Sequence, residues 1–209
     1  MHRRGGDARP GEWHSKGMAD LTSLPRGLPV PIDDGGASHL AGRQMPELDF
    51  PATTGCNVRL EQLGGGRTVL YVFPGIGRPD QRLPADWDLV PGARGCTPEA
   101  CAFRDHHRDL VAAGASVFGL SGQSTDDQAE AAVRLHLPFA LLSDTAFRLE
   151  QALRLPTFHL DGQRFYKRLT MVVREGIVEH VFYPVFPPDQ HAQEVLTWLR
   201  DHRPTPSTA

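Results

Sequence analysis

An α/β sandwich, with a central mixed sheet flanked by helices, is the fold class this chain predicts. Three observations carry that expectation. Short apolar runs at residues 68–73 and 116–120 suit strands buried on both faces. Capped helical segments alternate with these runs. A hairpin and a final helix then close the chain, over residues 168–200.

The elements follow in order. Residues 48–50 and 58–60 form a short hairpin across the turn-like Thr54-Gly55-Cys56-Asn57. Three glycines at 64–66 break the chain before the strand at 68–73. Residues 75–95, with Pro79, Pro84 and Pro91, read as a loop. Its Trp87, with Leu83, Leu89 and Val90, is expected to pack down near the active site. Residues 98–113 form a helix ended by Gly114. A second buried strand covers 116–120, and Ser124 or Thr125 caps a helix running to about His136. Residues 140–142 make a third strand, and residues 146–153 a short helix before Pro156. Residues 168–173 and 178–183 form a hairpin over Glu175-Gly176. Residues 188–200 make the last helix. The domain therefore spans 37–203, preceded by a disordered leader, 1–36, and followed by a tail, 204–209.

Composition narrows the function. A chain of 209 residues with 40% hydrophobic content fits one domain with an adequate core. A formal net charge of −3 gives no electrostatic case for nucleic acid or an anionic membrane surface. No run of 18 apolar residues exists, so no transmembrane helix is expected. The leader lacks the apolar stretch of a secretory signal, and Met18 offers a second start. Three cysteines, an odd and sparse set, favour a reducing cytoplasm over a secreted disulfide scaffold.

Two of those cysteines carry the chemistry. Cys96 and Cys101 lie in Gly95-Cys96-Thr97-Pro98-Glu99-Ala100-Cys101-Ala102-Phe103-Arg104-Asp105. Thr97 reads as N-cap, Pro98 as first helical residue, and Glu99 complements the positive end of the dipole. A thiol at that end meets unpaired backbone N–H groups and partial positive charge, which favour thiolate. Arg94 and Arg104 are expected to add to this field. In an intact helix, residues five apart are separated by roughly 7.5 Å of rise and about 140° of rotation. Their Cα atoms are then on the order of 8–9 Å apart, beyond the ~7 Å reach of a disulfide. Either Cys96 lies outside the regular helix or the first turn unwinds before the sulfurs bond.

The block resembles the active-site signature of the Q-type peroxiredoxins, also called bacterioferritin comigratory proteins. The resemblance extends over roughly residues 40–200. Upstream it includes Pro46-Glu47-Leu48-Asp49-Phe50 and the strand ending in Pro74; downstream, the strands at 116–122, 138–144 and 168–173. It implies a thioredoxin-like sandwich and a thiol peroxidase. In that reading Cys96 is the peroxidatic cysteine, Cys101 the resolving cysteine that forms an intramolecular disulfide, and Arg168 the thiolate-stabilising arginine. Pro74, Gly95, Thr97 and Glu99 support the pocket, Pro74 as a shield from bulk water and Glu99 by orienting Arg168. The implied partners are a hydroperoxide and thioredoxin or a similar dithiol, and the protein is a monomer or homodimer. No cofactor is implied, because sulfur carries the redox change itself. The chain departs from the family pattern in two places. The loop at 75–95 is a long insertion between Pro74 and Cys96, and the position three before Cys96 is Ala93 rather than a threonine. Thr97 or a backbone group is left to supply the missing hydrogen bond.

Other readings of the same residues are bland. Cys56 reads as a free structural cysteine. His106 and His107 follow the cysteines, but the spacing lacks the close ligand pairs of a zinc site, so they read as solvated helix residues. A thiol–disulfide oxidoreductase is the second enzymatic alternative, although Cys-x4-Cys is not its usual Cys-x2-Cys spacing. A redox sensor or partner-binding module, with the insertion as a docking loop, is the non-enzymatic one.

Overall fold

The computed structural model describes residues 21–63 and 66–203. The tail, residues 1–20 of the leader, and two of the three breaker glycines lie outside the described residues.

In chain order the strands are β1 (Asp49–Pro51), β2 (Asn57–Arg59), β3 (Arg67–Val72), β4 (Ala115–Ser121), β5 (Leu141–Ser143), β6 (Thr157–Leu160), β7 (Gln163–Tyr166), β8 (Leu169–Arg174) and β9 (Ile177–Phe182). The helices are α1 (Cys96–Asp105), α2 (His107–Ala112), α3 (Thr125–Arg134), α4 (Arg148–Leu153) and α5 (His191–Asp201). The main sheet has the order β5-β4-β3-β8-β9. β3 runs parallel to β4, and β4 to β5, whereas β8 lies antiparallel to β3 and β9 to β8. This is the mixed sheet flanked by helices that the sequence predicts.

All six residues of β3 are buried, Val69 to Val72 as an apolar run and Arg67 through its pair with Glu179. Leu70 and Val72 face one core, with Leu120, Leu142 and Met171. Val69 and Tyr71 face the other, with Phe103, Leu141 and residues of α5 such as Val195 and Leu199. The register places Val72 opposite Leu169, so the C-terminal end of β3 and the start of β8 meet at one edge of the sheet. Pro74 and Arg168 lie just beyond those ends.

The helix expected over 98–113 is two helices, α1 and α2, divided at His106. Nor is Thr97 the N-cap: helix α1 starts at Cys96, and Gly95 caps it with φ of 107°. A side chain there would be strained by the backbone, and its Cβ would lie 2.4 Å from Pro188 Cγ, so glycine is required. Pro98 becomes the third helical residue, still within the turn whose N–H groups have no intrahelical acceptor. Ser124 caps α3 as expected, its hydroxyl accepting from the Asp127 N–H at 3.2 Å.

Two further features differ from the sequence expectation. Strands β6 and β7 form a hairpin not anticipated, turning through Asp161 and Gly162 with φ of 50° and 74°. An Asp-Gly pair between such runs is the signal of this turn type. Its Phe158 and Phe165 hold the buried Trp87 of the 75–95 insertion, with ring centroids 6.1 and 5.0 Å away. Trp87 thus holds the insertion against the β6–β7 hairpin, whereas Leu89 is 70% exposed.

Residues 21–36, assigned from sequence to a disordered leader, lie as a strap against the domain. Leu24 sits against Gly95 and Pro31 against Gly92. The Asp34 carboxylate accepts from Lys167 Nζ at 2.6 Å and from the Tyr183 hydroxyl at 2.7 Å. Apolar strap residues are too few to show a helical or strand period, so nothing in their pattern announced this docking.

Candidate active site

Helix α1 presents its inner face through Cys96, Ala100 and Phe103, at the i, i+4, i+7 spacing of one helical stripe. Phe103 stacks on Tyr71 of β3, with centroids 4.5 Å apart and planes 16° apart. That contact sets the helix on the sheet and brings its N-terminus over the edge where β3 ends and β8 begins. Cys96 lands there, 4% exposed, as a free thiol.

Two donors reach its sulfur. Arg168 Nη2 lies 3.1 Å from Sγ, and the Gly75 N–H lies 3.5 Å from it. The Cys96 thiol also stands 3.6 Å from the Ala93 carbonyl oxygen, to which it can donate. Thr97 is buried in the first turn, and among the described residues its hydroxyl is not a partner of the sulfur. Where Ala93 offers no hydroxyl, the Gly75 N–H, immediately after Pro74, is a backbone donor that reaches the sulfur. Pro74 is itself buried at the end of β3.

Arg168 is fixed on several sides. Its Nη1 meets the Glu99 carboxylate, and its Nη2 also reaches the carbonyls of Ala93 at 3.3 Å and Arg94 at 3.4 Å. Both side chains of the Arg168–Glu99 pair are essentially inaccessible to solvent. Burial pulls the guanidinium down, but the neighbouring Cys96 and Glu99 more than offset it and hold the charge. Burial likewise pushes the Glu99 carboxyl above its usual range, while Arg168 and His191 pull it back. The tool of recognition here is a planar fork, which suits a carboxylate on one arm and a sulfur on the other. Tyr71 lies beneath, fully buried, and burial together with Glu99 and Cys96 raises its phenol well above the ordinary value. It stays protonated throughout the working range.

Cys101 is half-buried on the same helix. Both cysteines belong to α1, so their Cα atoms are on the order of 8–9 Å apart in a regular helix, and a disulfide between them would require that turn to open. Burial pushes the Cys101 thiol up, against a downward pull from Arg104. Arg104 also donates to Asp105 at 2.8 Å and to the Leu135 carbonyl at 2.9 Å. Arg94 reaches Asp88 at 3.4 Å. In a Cys56→Ala/Cys96→Ser variant, iodoacetamide alkylation of Cys101 is expected to be slow at neutral pH. Its rate should rise through a midpoint above the ordinary thiol value of ~8.5. A midpoint at or below that value sinks the claim that burial raises the Cys101 thiol.

The site thus unites Cys96, Gly95, Thr97 and Glu99 of one helix end with Pro74 and Arg168. Sequence reasoning missed the Gly75 amide and Tyr71. The amide has no side-chain signature, and Tyr71 reads simply as a core strand residue. Cys56 is exposed in the β1–β2 turn, remote in sequence and packing from this cluster. Among the described residues no cluster of three or more metal-ligating side chains occurs, and no helix is long and apolar enough to cross a membrane.

Residues 40–196 match the model of the Redoxin family, three-quarters of the chain. The chain belongs to this family. Two similar relatives carry the name peroxiredoxin Q. Peroxiredoxin Q of Sedum lineare is 30% identical over 159 residues, covering 76% of this chain and 77% of the relative. Peroxiredoxin Q of Gentiana triflora is 28% identical over 189 residues, covering 88% and 80%. Both carry the designation chloroplastic. Among solved structures, peroxidoxin BcpB from Mycobacterium tuberculosis superposes with a TM-score of 0.64 at 28% identity, over 79% of this chain and 100% of that one. Peroxiredoxin Q from Xanthomonas campestris, at 24% identity and TM-score 0.61 over 78% and 98%, shares the fold. This redoxin is a Q-type peroxiredoxin with a thioredoxin-like fold, and its activity is thiol-dependent peroxide reduction.

Proposed function

We propose that this peroxiredoxin reduces hydroperoxides at Cys96, with Cys101 as the resolving thiol and Arg168 as the group that polarises thiolate and peroxide. The observation that carries the reading is the Arg168 guanidinium 3.1 Å from a buried Cys96 sulfur at a helix N-terminus. The thiolate attacks the terminal peroxide oxygen, and the O–O bond breaks. The sulfur becomes a sulfenic acid, and the departing alkoxide or hydroxide takes a proton to leave as alcohol or water. Charge developing on both oxygens faces Arg168 and the Gly75 N–H, which are already oriented. The first turn of α1 then opens. Cys101 attacks the sulfenic sulfur, and water leaves as the Cys96–Cys101 disulfide forms. An external dithiol of the thioredoxin type restores both thiols by exchange and is itself oxidised to a disulfide.

The same reading places the protein in a reducing cytoplasm, where such a dithiol is kept reduced, as a monomer or homodimer. The roles assigned to Pro74 and Glu99 follow the geometry: Pro74 screens the sulfur from bulk water, and Glu99 positions the guanidinium. Gly95 makes the helix start possible, and Thr97 fills the first turn.

The test is rapid mixing of the fully reduced protein with hydrogen peroxide, followed by mass spectrometry of quenched product. The wild type should lose the Cys96 thiol and gain a Cys96–Cys101 disulfide. A Cys101→Ser variant should consume one equivalent of peroxide and then stall as sulfenic acid or progress to sulfinic acid. Normal turnover of that variant with a thioredoxin-type reductant would show that the intramolecular resolving role is wrong.

A further inference from the structure

The N–H that reaches the Cys96 sulfur belongs to Gly75, the first residue of the 75–95 loop, just past the end of β3. A backbone donor at the mouth of a loop stays aimed only if the chain on both sides of it is fixed. On the upstream side Pro74 is buried, and its ring restricts the backbone. On the downstream side the fixture is Gln123. Its Oε1 accepts from the Ile76 N–H at 2.7 Å, and its Nε2 donates to the Ile76 carbonyl at 3.0 Å. A side-chain amide carries both a donor and an acceptor, so it can pair with both backbone groups of one residue, as a neighbouring strand would. Gly75 permits the close approach: a Cβ there would lie 3.3 Å from Gln123 Cδ. Ile76 is itself buried in the core that holds Cys96 and Ala100. The main chain of Gln123 is braced in turn. Its N–H donates to Ser121 Oγ at 3.2 Å, and its carbonyl accepts from Ser143 Oγ at 2.6 Å. Ser121 and Ser143 end β4 and β5 and stand opposite each other in the parallel ladder. A bracket therefore runs from the end of the sheet, through Gln123 and Ile76, to the amide that faces the sulfur.

We infer that Gln123 is a positioning residue for peroxide reduction, acting through the Ile76 backbone to hold the Gly75 N–H on Cys96. The inference rests on Cys96 being the peroxide-reducing sulfur. The side-chain hydrogen bonds of Gln123 go to Ile76 and not to the sulfur, so it is no catalytic group itself. Its effect comes from preorganisation. A donor already aimed at developing charge needs no reorientation during the reaction, whereas an unpinned amide must be turned back into place. The other donor is held separately, because Arg168 is fixed by Glu99 and by the carbonyls of Ala93 and Arg94. Loosening Gly75 therefore leaves Arg168 on the sulfur, and the loss is only part of what removal of a donor costs.

The experiment compares wild type with Gln123→Met in the reduced, full-length protein. Methionine keeps the length of the side chain and loses both hydrogen bonds, and at this half-buried position it empties no core. The second-order rate constant for hydrogen peroxide is expected to fall about tenfold, part of the roughly hundred- to thousandfold lost when a donor is removed outright. Urea titration should show both proteins folded under the assay conditions. The second readout is the Gly75 amide resonance in two-dimensional proton–nitrogen spectra. In the wild-type background Cys96→Ser should shift this resonance, because the N–H loses its sulfur acceptor. In the Gln123→Met background the same replacement should shift it far less. A role confined to packing would lower stability and leave that response intact. An unchanged rate constant, or an undiminished Gly75 response, overturns the positioning role while the peroxidase reading stands. A wild-type protein whose Cys96 is not oxidised by peroxide overturns the peroxidase reading, and this inference with it.

Discussion

Replacement of Cys96 by serine is expected to lower the rate constant for peroxide reduction at least about a thousandfold, to the level of an unassisted thiol. The hydroxyl of serine keeps the position at the N-terminus of α1 and the reach of the Arg168 guanidinium. It cannot accept an oxygen from a peroxide, so the redox step itself is lost rather than slowed. The two remaining cysteines do not substitute. Cys56 sits exposed in a turn, away from the donors that face Cys96. Burial holds the thiol of Cys101 up, so less of it is thiolate at neutral pH. An ordinary exposed cysteine is only a few per cent thiolate at pH 7, which sets the residual rate. The measurement is competition for hydrogen peroxide against a reporter of known rate, in a Cys56→Ala background. A Cys96→Ser rate within tenfold of the parent would mean that another group carries the chemistry.

Much of this site can be read from the sequence because its determinants are local. Glycine before Cys96, the acidic residue in the first turn and the second thiol five residues on all belong to one helix end. The fully apolar run of β3 announces a central strand for the same reason. Arg168 required more, since nothing in its neighbourhood says that it lies beside a sulfur 72 residues away. Its place came from likeness to a family, and its contact comes from the register that pairs Val72 with Leu169. Other features had no local signal. The Gly75 amide has no side chain to mark it, yet it donates to the Cys96 sulfur. The strap over residues 21–36 has little periodicity and is held by Asp34 on Lys167 and Tyr183, contacts 133 and 149 residues apart in sequence. The division between α1 and α2 at His106 was invisible too, because both halves are composed of ordinary helix formers. The β6–β7 hairpin differs from these, because Asp161-Gly162 did carry a turn signal in the sequence.

Arg168→Met is expected to lower the rate constant by about a hundred- to a thousandfold, the range found when one preorganised donor to a developing charge is removed. The argument has a structural complication, which is also its best control. Arg168 and Glu99 form a buried pair, and removing one partner leaves the other charge without compensation, at a cost of about 3–5 kcal/mol of stability. Methionine at 168 could therefore lose activity because the helix end is disturbed. The double variant Arg168→Met/Glu99→Gln separates the two effects. It removes the orphaned carboxylate and should recover most of the lost stability in a denaturant titration, but the peroxide rate should stay low. Arg168→Lys supplies the third comparison. An ammonium keeps the charge but lacks the fork that meets Glu99, the Ala93 carbonyl and the sulfur together, so it should fall between wild type and methionine. If stability and rate return together in the double variant, Arg168 serves only to hold the fold. If stability returns and the rate does not, the guanidinium acts on the reacting atoms.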